Sequence, residues 1–282
     1  MSPVHLRLED ERSPSFAQEV VDILNSTFEL NSETSPSDAA IAIDSLLNQD
    51  YQEDEIAGGF LWWFWDLVHD LARQVPFDGP EQNTLVAVIK ALQDLPPKTM
   101  KLGEDWGCDD PSNTRVDPIP PTKVERRERR INLQTYVAKV AGLCNRRFQL
   151  YAIWALVRAL EGTMIPIRGA PDKVNEDPAA DINLPEWVKI SSTWMAHAGH
   201  QLYGRDEEIY GATAGPLWKL DKKEGIKLRR KFKGTNGLCP RRWKLWKERF
   251  GVIRDTDGVD AEARRDAGDA YRAMERIEGS QQ

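Results

Sequence analysis

Residues 60–67 read Phe-Leu-Trp-Trp-Phe-Trp-Asp-Leu, and Val68, Leu71 and Ala72 extend the apolar run. Wound as a helix at roughly 100° per residue, these side chains cover an arc of about 200°. A helix apolar over most of its circumference belongs in the middle of a core rather than on a surface. The remaining stripe is Asp66, His69, Asp70 and Arg73, either a window onto solvent or the wall of a cleft. Two carboxylates beside a histidine suit a general base or a seat for a cationic group. The plainer alternative is a solvated stripe with an Asp70/Arg73 pair at i, i+3.

Helical spacing recurs along the chain, and no Val/Ile/Thr alternation predicts a sheet. Proline and glycine punctuate it. Ser13-Pro14 starts a helix running to Leu30, and Pro36 starts a second. The aromatic third helix, opened by Asp54, stops before Pro76; a fourth runs from Pro80 to Leu95, and Pro96-Pro97 ends it. Residues 96–122 and 163–183 predict proline-rich loops. Between them lie helices over 132–143 and 148–161, the second ending at Gly162. Pro185 opens another, closed by Gly204, and Pro240 opens a short helix to Phe250. The expectation is an all-α fold: one multi-helix domain of about eight or nine helices with a Trp-rich core, spanning 1–250. A charged terminal helix, poor in large apolar residues, should follow within 251–282 as a weakly docked appendage.

The chain carries a net charge of −7, unevenly spread. Residues 1–60 hold only Arg7 and Arg12 against thirteen acidic residues, whereas 221–250 hold twelve Lys/Arg against Asp221, Glu224 and Glu248. The three cysteines, Cys108, Cys144 and Cys239, form no CxxC pair, which argues against a disulfide framework or zinc ribbon. The N-terminus has no signal-like apolar run, and no stretch reaches the length of a membrane span. Cytoplasm or nucleus is the expected compartment, with no membrane partner. No Walker loop, dinucleotide fingerprint or GxSxG elbow occurs, so neither cofactor nor metal is implied.

Three further constellations stand out. His197 and His200, with Thr193 or Tyr203 nearby, offer proton transfer; a metal site would need a third ligand, and boundary histidines satisfied by hydrogen bonds are the alternative. Tyr151, Trp154, Arg158 and Glu161 share a stripe of one helix. An arginine among so many apolar neighbours calls for a counter-charge or a ligand, and Asp66 is a candidate partner. Finally, Lys227, Arg229, Arg230, Lys231 and Lys233, then Arg241, Arg242 and Lys244, interleave with aromatics as in segments that grip phosphates. The competing reading buries Trp243, Trp246 and Phe250 and leaves the cations as surface decoration.

The motifs at 60–67 and 150–156, Ala198-Gly199-His200-Gln201-Leu202-Tyr203, Gly215-Pro216-Leu217-Trp218 and Arg242–Phe250 together resemble a fungal family of helical proteins catalogued as a domain of unknown function, over roughly 35–250. A more distant similarity is to fungal arginine-containing cyclodipeptide synthases, enzymes of secondary metabolism that join aminoacyl groups from tRNA. That resemblance implies tRNA on the cationic segment, a guanidinium held by Asp66 and Asp70 near Tyr151 and Arg158, and a base among His69, His197 and His200, with Tyr203 close by. Two rivals remain open: a non-catalytic module whose basic segment docks an acidic protein or nucleic acid, and a small-molecule enzyme that uses the His/Asp stripes without RNA.

Overall fold

The computed structural model describes residues 4–10, 13–29, 32–50, 58–97, 122–144, 148–162 and 175–280. Residues 98–121 of the loop expected over 96–122, with Cys108 and Asp109-Asp110, residues 163–174 of the loop expected over 163–183, and Asp54, expected to open the third helix, lie outside these residues. The described chain is all-α: α1 (Phe16–Phe28), α2 (Pro36–Asp50), α3 (Gly58–Gln74), α4 (Pro80–Asp94), α5 (Lys123–Cys144), α6 (Gln149–Leu160), α7 (Leu184–Ala198), α8 (Lys222–Lys231), α9 (Pro240–Asp255) and α10 (Ala261–Ser280). Two compact units divide within α5, at Tyr136/Val137.

In the first unit, α1, α2 and α4 pack on one another. Val20, Val21 and Leu24 of α1, Ala39, Ala40 and Ile43 of α2, and Leu85, Val88 and Ile89 of α4 are buried, each set at helical spacing. Side-chain amides fasten what the helices leave loose. Asn25 both accepts from the Leu6 amide (2.8 Å) and donates to the Leu6 carbonyl (3.0 Å). Gln74 does the same for Arg7, at 3.1 and 2.9 Å. The N-terminal segment is thus held as if in a strand ladder. Asn132 accepts from the Phe77 amide and donates to the Arg73 carbonyl, and buried Gln82 donates to Val75, so the α3–α4 corner is pinned to α5.

α3 carries the expected Asp70/Arg73 pair but departs from the sequence expectation in what it buries. Its polar stripe is not a solvent window: Asp66 is 5% exposed, and Asp70 and Arg73 are half-buried and ion-paired. Trp62, at 41% exposure, and Trp65 instead face water. Periodicity fixes the width of an apolar arc, but it does not say which part the neighbouring elements cover.

In the second unit, α7 packs on α6 and α10, and α9 on α6 and α10. The four buried tryptophans among the described residues, Trp194, Trp218, Trp243 and Trp246, all lie here. The terminal helix is no appendage. Ala263, Ala267, Gly268, Ala270, Ala273 and Met274 form its buried face, and small side chains let it approach its neighbours closely without bulky apolar groups. Charged groups flank that face: Lys189 of α7 bridges Asp266 (2.9 Å) and Glu262 (3.1 Å), and Glu278 accepts from Trp243 Nε1 (2.9 Å) and Lys247.

Candidate functional site

The basic segment, for which the sequence predicts no helix before Pro240, contains one. Asp221 caps α8, accepting from the Lys223 and Glu224 amides at 2.8 Å each. Arg229, Arg230 and Lys231 sit in its last turn, where cations complement the helix dipole. Leu228 is the buried residue of α8. It packs with Trp218 and Cys239, and with the partly buried Leu220, Phe232 and Leu245. Cys239 is a free, buried thiol whose pKa burial raises. Lys222, Lys223, Lys227, Arg229, Arg230 and Lys231 are all exposed, as are Lys233, Arg241 and Lys244 beyond the helix.

A tight corner joins α8 to α9. Glu207 and Leu238 exchange both backbone hydrogen bonds at 3.0 Å, and Asp206 accepts from the Gly234 amide at 2.7 Å. A Cβ on Gly234 would lie 1.9 Å from the Leu238 carbonyl oxygen, so no other residue fits there without moving backbone.

Beneath the cations lies a closed charge network. Arg242 and Glu161 are both 0% exposed. Arg242 Nε donates to Glu161 Oε1 (2.6 Å) and Nη2 to Oε2 (3.1 Å), while Nη1 donates to the Gly237 carbonyl (3.0 Å) and Nη2 also to Thr213. Glu161 accepts further bonds from Trp246 Nε1 (2.8 Å) and the Gly215 amide (2.7 Å), and its carbonyl accepts from the Leu217 amide. The guanidinium carbon lies 5.3 Å from the Trp246 ring centre and 5.7 Å from that of Trp218. Arg242, expected as a phosphate contact, is therefore a buried tie between the α6 terminus, residues 213–217 and α9. Its burial follows from helical spacing: it stands one turn before Trp246, on the face that carries the core.

The other predicted residues divide between the units. In the first, Asp70 pairs with Arg73 and borders a hollow of about 10 Å³, room for one water, lined by Arg7, Glu9, Ser13, Trp63 and Leu71. His69 lies edge-on to Tyr136, with ring centres 6.3 Å apart. Burial, aided by Arg73, lowers its pKa to about 4, so it is a neutral imidazole at pH 7. In the second unit, Arg158 is exposed and lies over the ring of Trp187 at 5.2 Å, so an aromatic face rather than a buried counter-charge receives it. Tyr151 stacks edge-on against Trp154, whose Nε1 donates to the Gly211 carbonyl. His197 ends α7, its pKa lowered by desolvation and by Lys139. His200 is exposed on the following 3-10 turn, and Tyr203 packs against Trp243 with ring centres 5.0 Å apart. Among the described residues no group of three or more His, Cys, Asp or Glu converges to hold a metal ion, and no helix is long and apolar enough to cross a membrane.

Sequence reasoning underrated Glu161, seen only as one member of the Arg158 stripe. Its signal was a carboxylate ending an otherwise apolar helix, where burial demands donors. No curated protein and no solved structure matches the chain. A family model does match, over residues 65–250, which takes in α9 up to Phe250 and so the whole Glu161–Arg242 network and the cationic face above it. The chain belongs to the family described as "Protein of unknown function (DUF3632)".

Proposed function

We propose that this protein docks a polyanion, a nucleic acid such as tRNA, on the cationic face of α8 and the first turn of α9. One observation carries the proposal: α8 buries Leu228 and presents Lys222, Lys223, Lys227, Arg229, Arg230 and Lys231 to water. The carboxylates nearby do not neutralise the face. Arg229 meets Glu208 at 3.1 Å, Arg241 meets Glu224 at 2.8 Å and Lys244 meets Glu248 at 3.7 Å, all exposed pairs of little energetic weight. Clustered cations release counterions from a phosphate backbone, which gives affinity that falls with salt. In a chain of net charge −7 the concentration of positive charge on one helix has no role in solubility.

Fluorescence anisotropy with labelled tRNA at several salt concentrations tests this. The variant Lys227→Ala/Arg229→Ala/Arg230→Ala/Lys231→Ala changes exposed positions only and should keep its helical circular dichroism. Its affinity should fall about 100-fold at 0.1 M salt, with the log–log salt slope shallower by about 2–4. Unchanged affinity and slope would refute docking at this face, and binding of an acidic protein without tRNA binding would reassign the partner. The narrower reading, an aminoacyl-tRNA-dependent synthase of an arginine-containing cyclic dipeptide, rests on the resemblance and would use the same face. Mass spectrometry of bacteria expressing the protein tests it, since an active synthase releases arginine-containing diketopiperazines.

A further inference from the structure

Tyr210 is 100% exposed, whereas Tyr136 is buried and Tyr151, Tyr203 and Tyr271 are half-buried. Its presentation is built, not frayed. The Ala212 amide donates to the Ile209 carbonyl (3.1 Å), making Tyr210 and Gly211 the central pair of a turn, and Gly211 adopts φ +79°, as the third position of a type II turn requires. Anchors hold the loop on either side: the Glu207–Leu238 bridge before the turn and the Trp154 bond to the Gly211 carbonyl after it. The phenol stands clear of a fixed loop.

The residues just before it are Asp206, Glu207, Glu208 and Ile209. Asp206, Glu207 and Glu208 put carboxylates on the N-terminal side of Tyr210, Glu207 paired with Arg205 and Glu208 with Arg229, which suits this stretch poorly to stacking on a base of a bound nucleic acid. The same pattern is complementary to an enzyme groove lined with cations. We propose that Tyr210 is a phosphorylation site for an ATP-dependent tyrosine kinase that selects acidic residues N-terminal to its acceptor, and that the added phosphate weakens polyanion docking by α8. The second half rests on the proposed function; the first does not.

In the transfer, the Tyr210 Oη forms a bond to the γ-phosphorus of ATP as the bond to the β,γ-bridging oxygen breaks. ADP leaves, and the phenolic proton passes to the kinase's base. The product gains a charge of about −1.5 to −2. Glu208, two residues back, already reaches Arg229 at 3.1 Å, and two residues of backbone span at most about 7 Å. The new charge thus follows, within two residues, a side chain that already touches the cationic face, and its repulsion of phosphate there is strongest where salt screens least.

The test uses the full chain, MgATP and a tyrosine kinase of acidic preference, with phosphopeptide mapping by mass spectrometry. Rapid incorporation at Tyr210, lost in Tyr210→Phe and slowed in Glu207→Gln/Glu208→Gln, is the expected result. No incorporation at Tyr210 in folded protein, or incorporation indifferent to the two Gln changes, overturns the site. The modified protein should bind tRNA about threefold more weakly at 0.15 M salt, and the gap should widen as salt falls. Equal affinity of the two forms overturns the regulatory half. If neither form binds tRNA, the docking proposal fails, while the incorporation result still decides the site.

Discussion

Replacing Arg242 by methionine isolates the structural weight of the buried network. Methionine fills most of the side-chain volume but removes four donated bonds and the charge that balances Glu161. The Glu161 carboxylate keeps Trp246 Nε1 and the Gly215 amide, two neutral donors, at 0% exposure. Breaking a buried pair from one side costs about 3–5 kcal/mol. For a unit of this size, about 2–4 °C accompany each kcal/mol, which predicts a fall in Tm of roughly 6–20 °C. Removing both charges, Glu161→Gln/Arg242→Met, should recover part of the loss, because the glutamine oxygen still accepts from Trp246. Thermal unfolding followed by tryptophan fluorescence reads the transition, since Trp246 and Trp218 flank the guanidinium. If the single variant melts within about 3 °C of the wild type, or the double variant is no better than the single, the network is not the tie described here. Any weakening of tRNA binding by Arg242→Met should track unfolding, unlike that of the exposed cations.

His69 titrates near 4 against an ordinary 6.5, so the unfolded chain binds the extra proton between those values and stability falls as pH drops from about 6.5 to 4. The loss approaches roughly 3 kcal/mol; His69→Gln should flatten that limb of the urea midpoint against pH, and an unchanged limb would place the titration elsewhere. Gly234→Ala should cost about 2 kcal/mol or more in urea unfolding, because its Cβ meets the backbone oxygen of Leu238 at 1.9 Å. Gly225→Ala, whose nearest neighbour is the Leu220 Cβ at 4.0 Å, should stabilise α8 by about 0.5–1 kcal/mol and leave tRNA affinity intact; a destabilised protein would contradict the packing.

Punctuation was the most legible part of the sequence. Pro80, Pro185 and Pro240 fall within the first two positions of their helices, and Gly162 and Gly204 take the positive φ that ends a helical stretch. The charged terminal helix was legible as a helix, but two other charge-rich helical stretches were not. The run Lys123–Arg130 is the start of α5, and α8 carries a single buried side chain, too little apolar spacing to reveal a helix. The site divided the same way. The basic segment stood out by composition, but composition treats Arg241, Arg242 and Lys244 alike, and only the helical register of Trp246 separates the buried arginine from its exposed neighbours. The aromatic run of α3 announced a buried helix, yet Trp62 and Trp65 face solvent because burial depends on elements that a local pattern does not contain.

The family match stops at residue 250, but the folded unit does not. α10 covers the flanks of α7 and α9 with alanine and glycine, and it supplies Asp266 to Lys189 and Glu278 to Trp243 and Lys247. A chain cut after Phe250 would leave Trp243 Nε1 without Glu278 and strand Lys189 and Lys247, so the boundary of sequence similarity is a poor place to divide the molecule. The outermost helix in sequence acts as the lining that closes the interior.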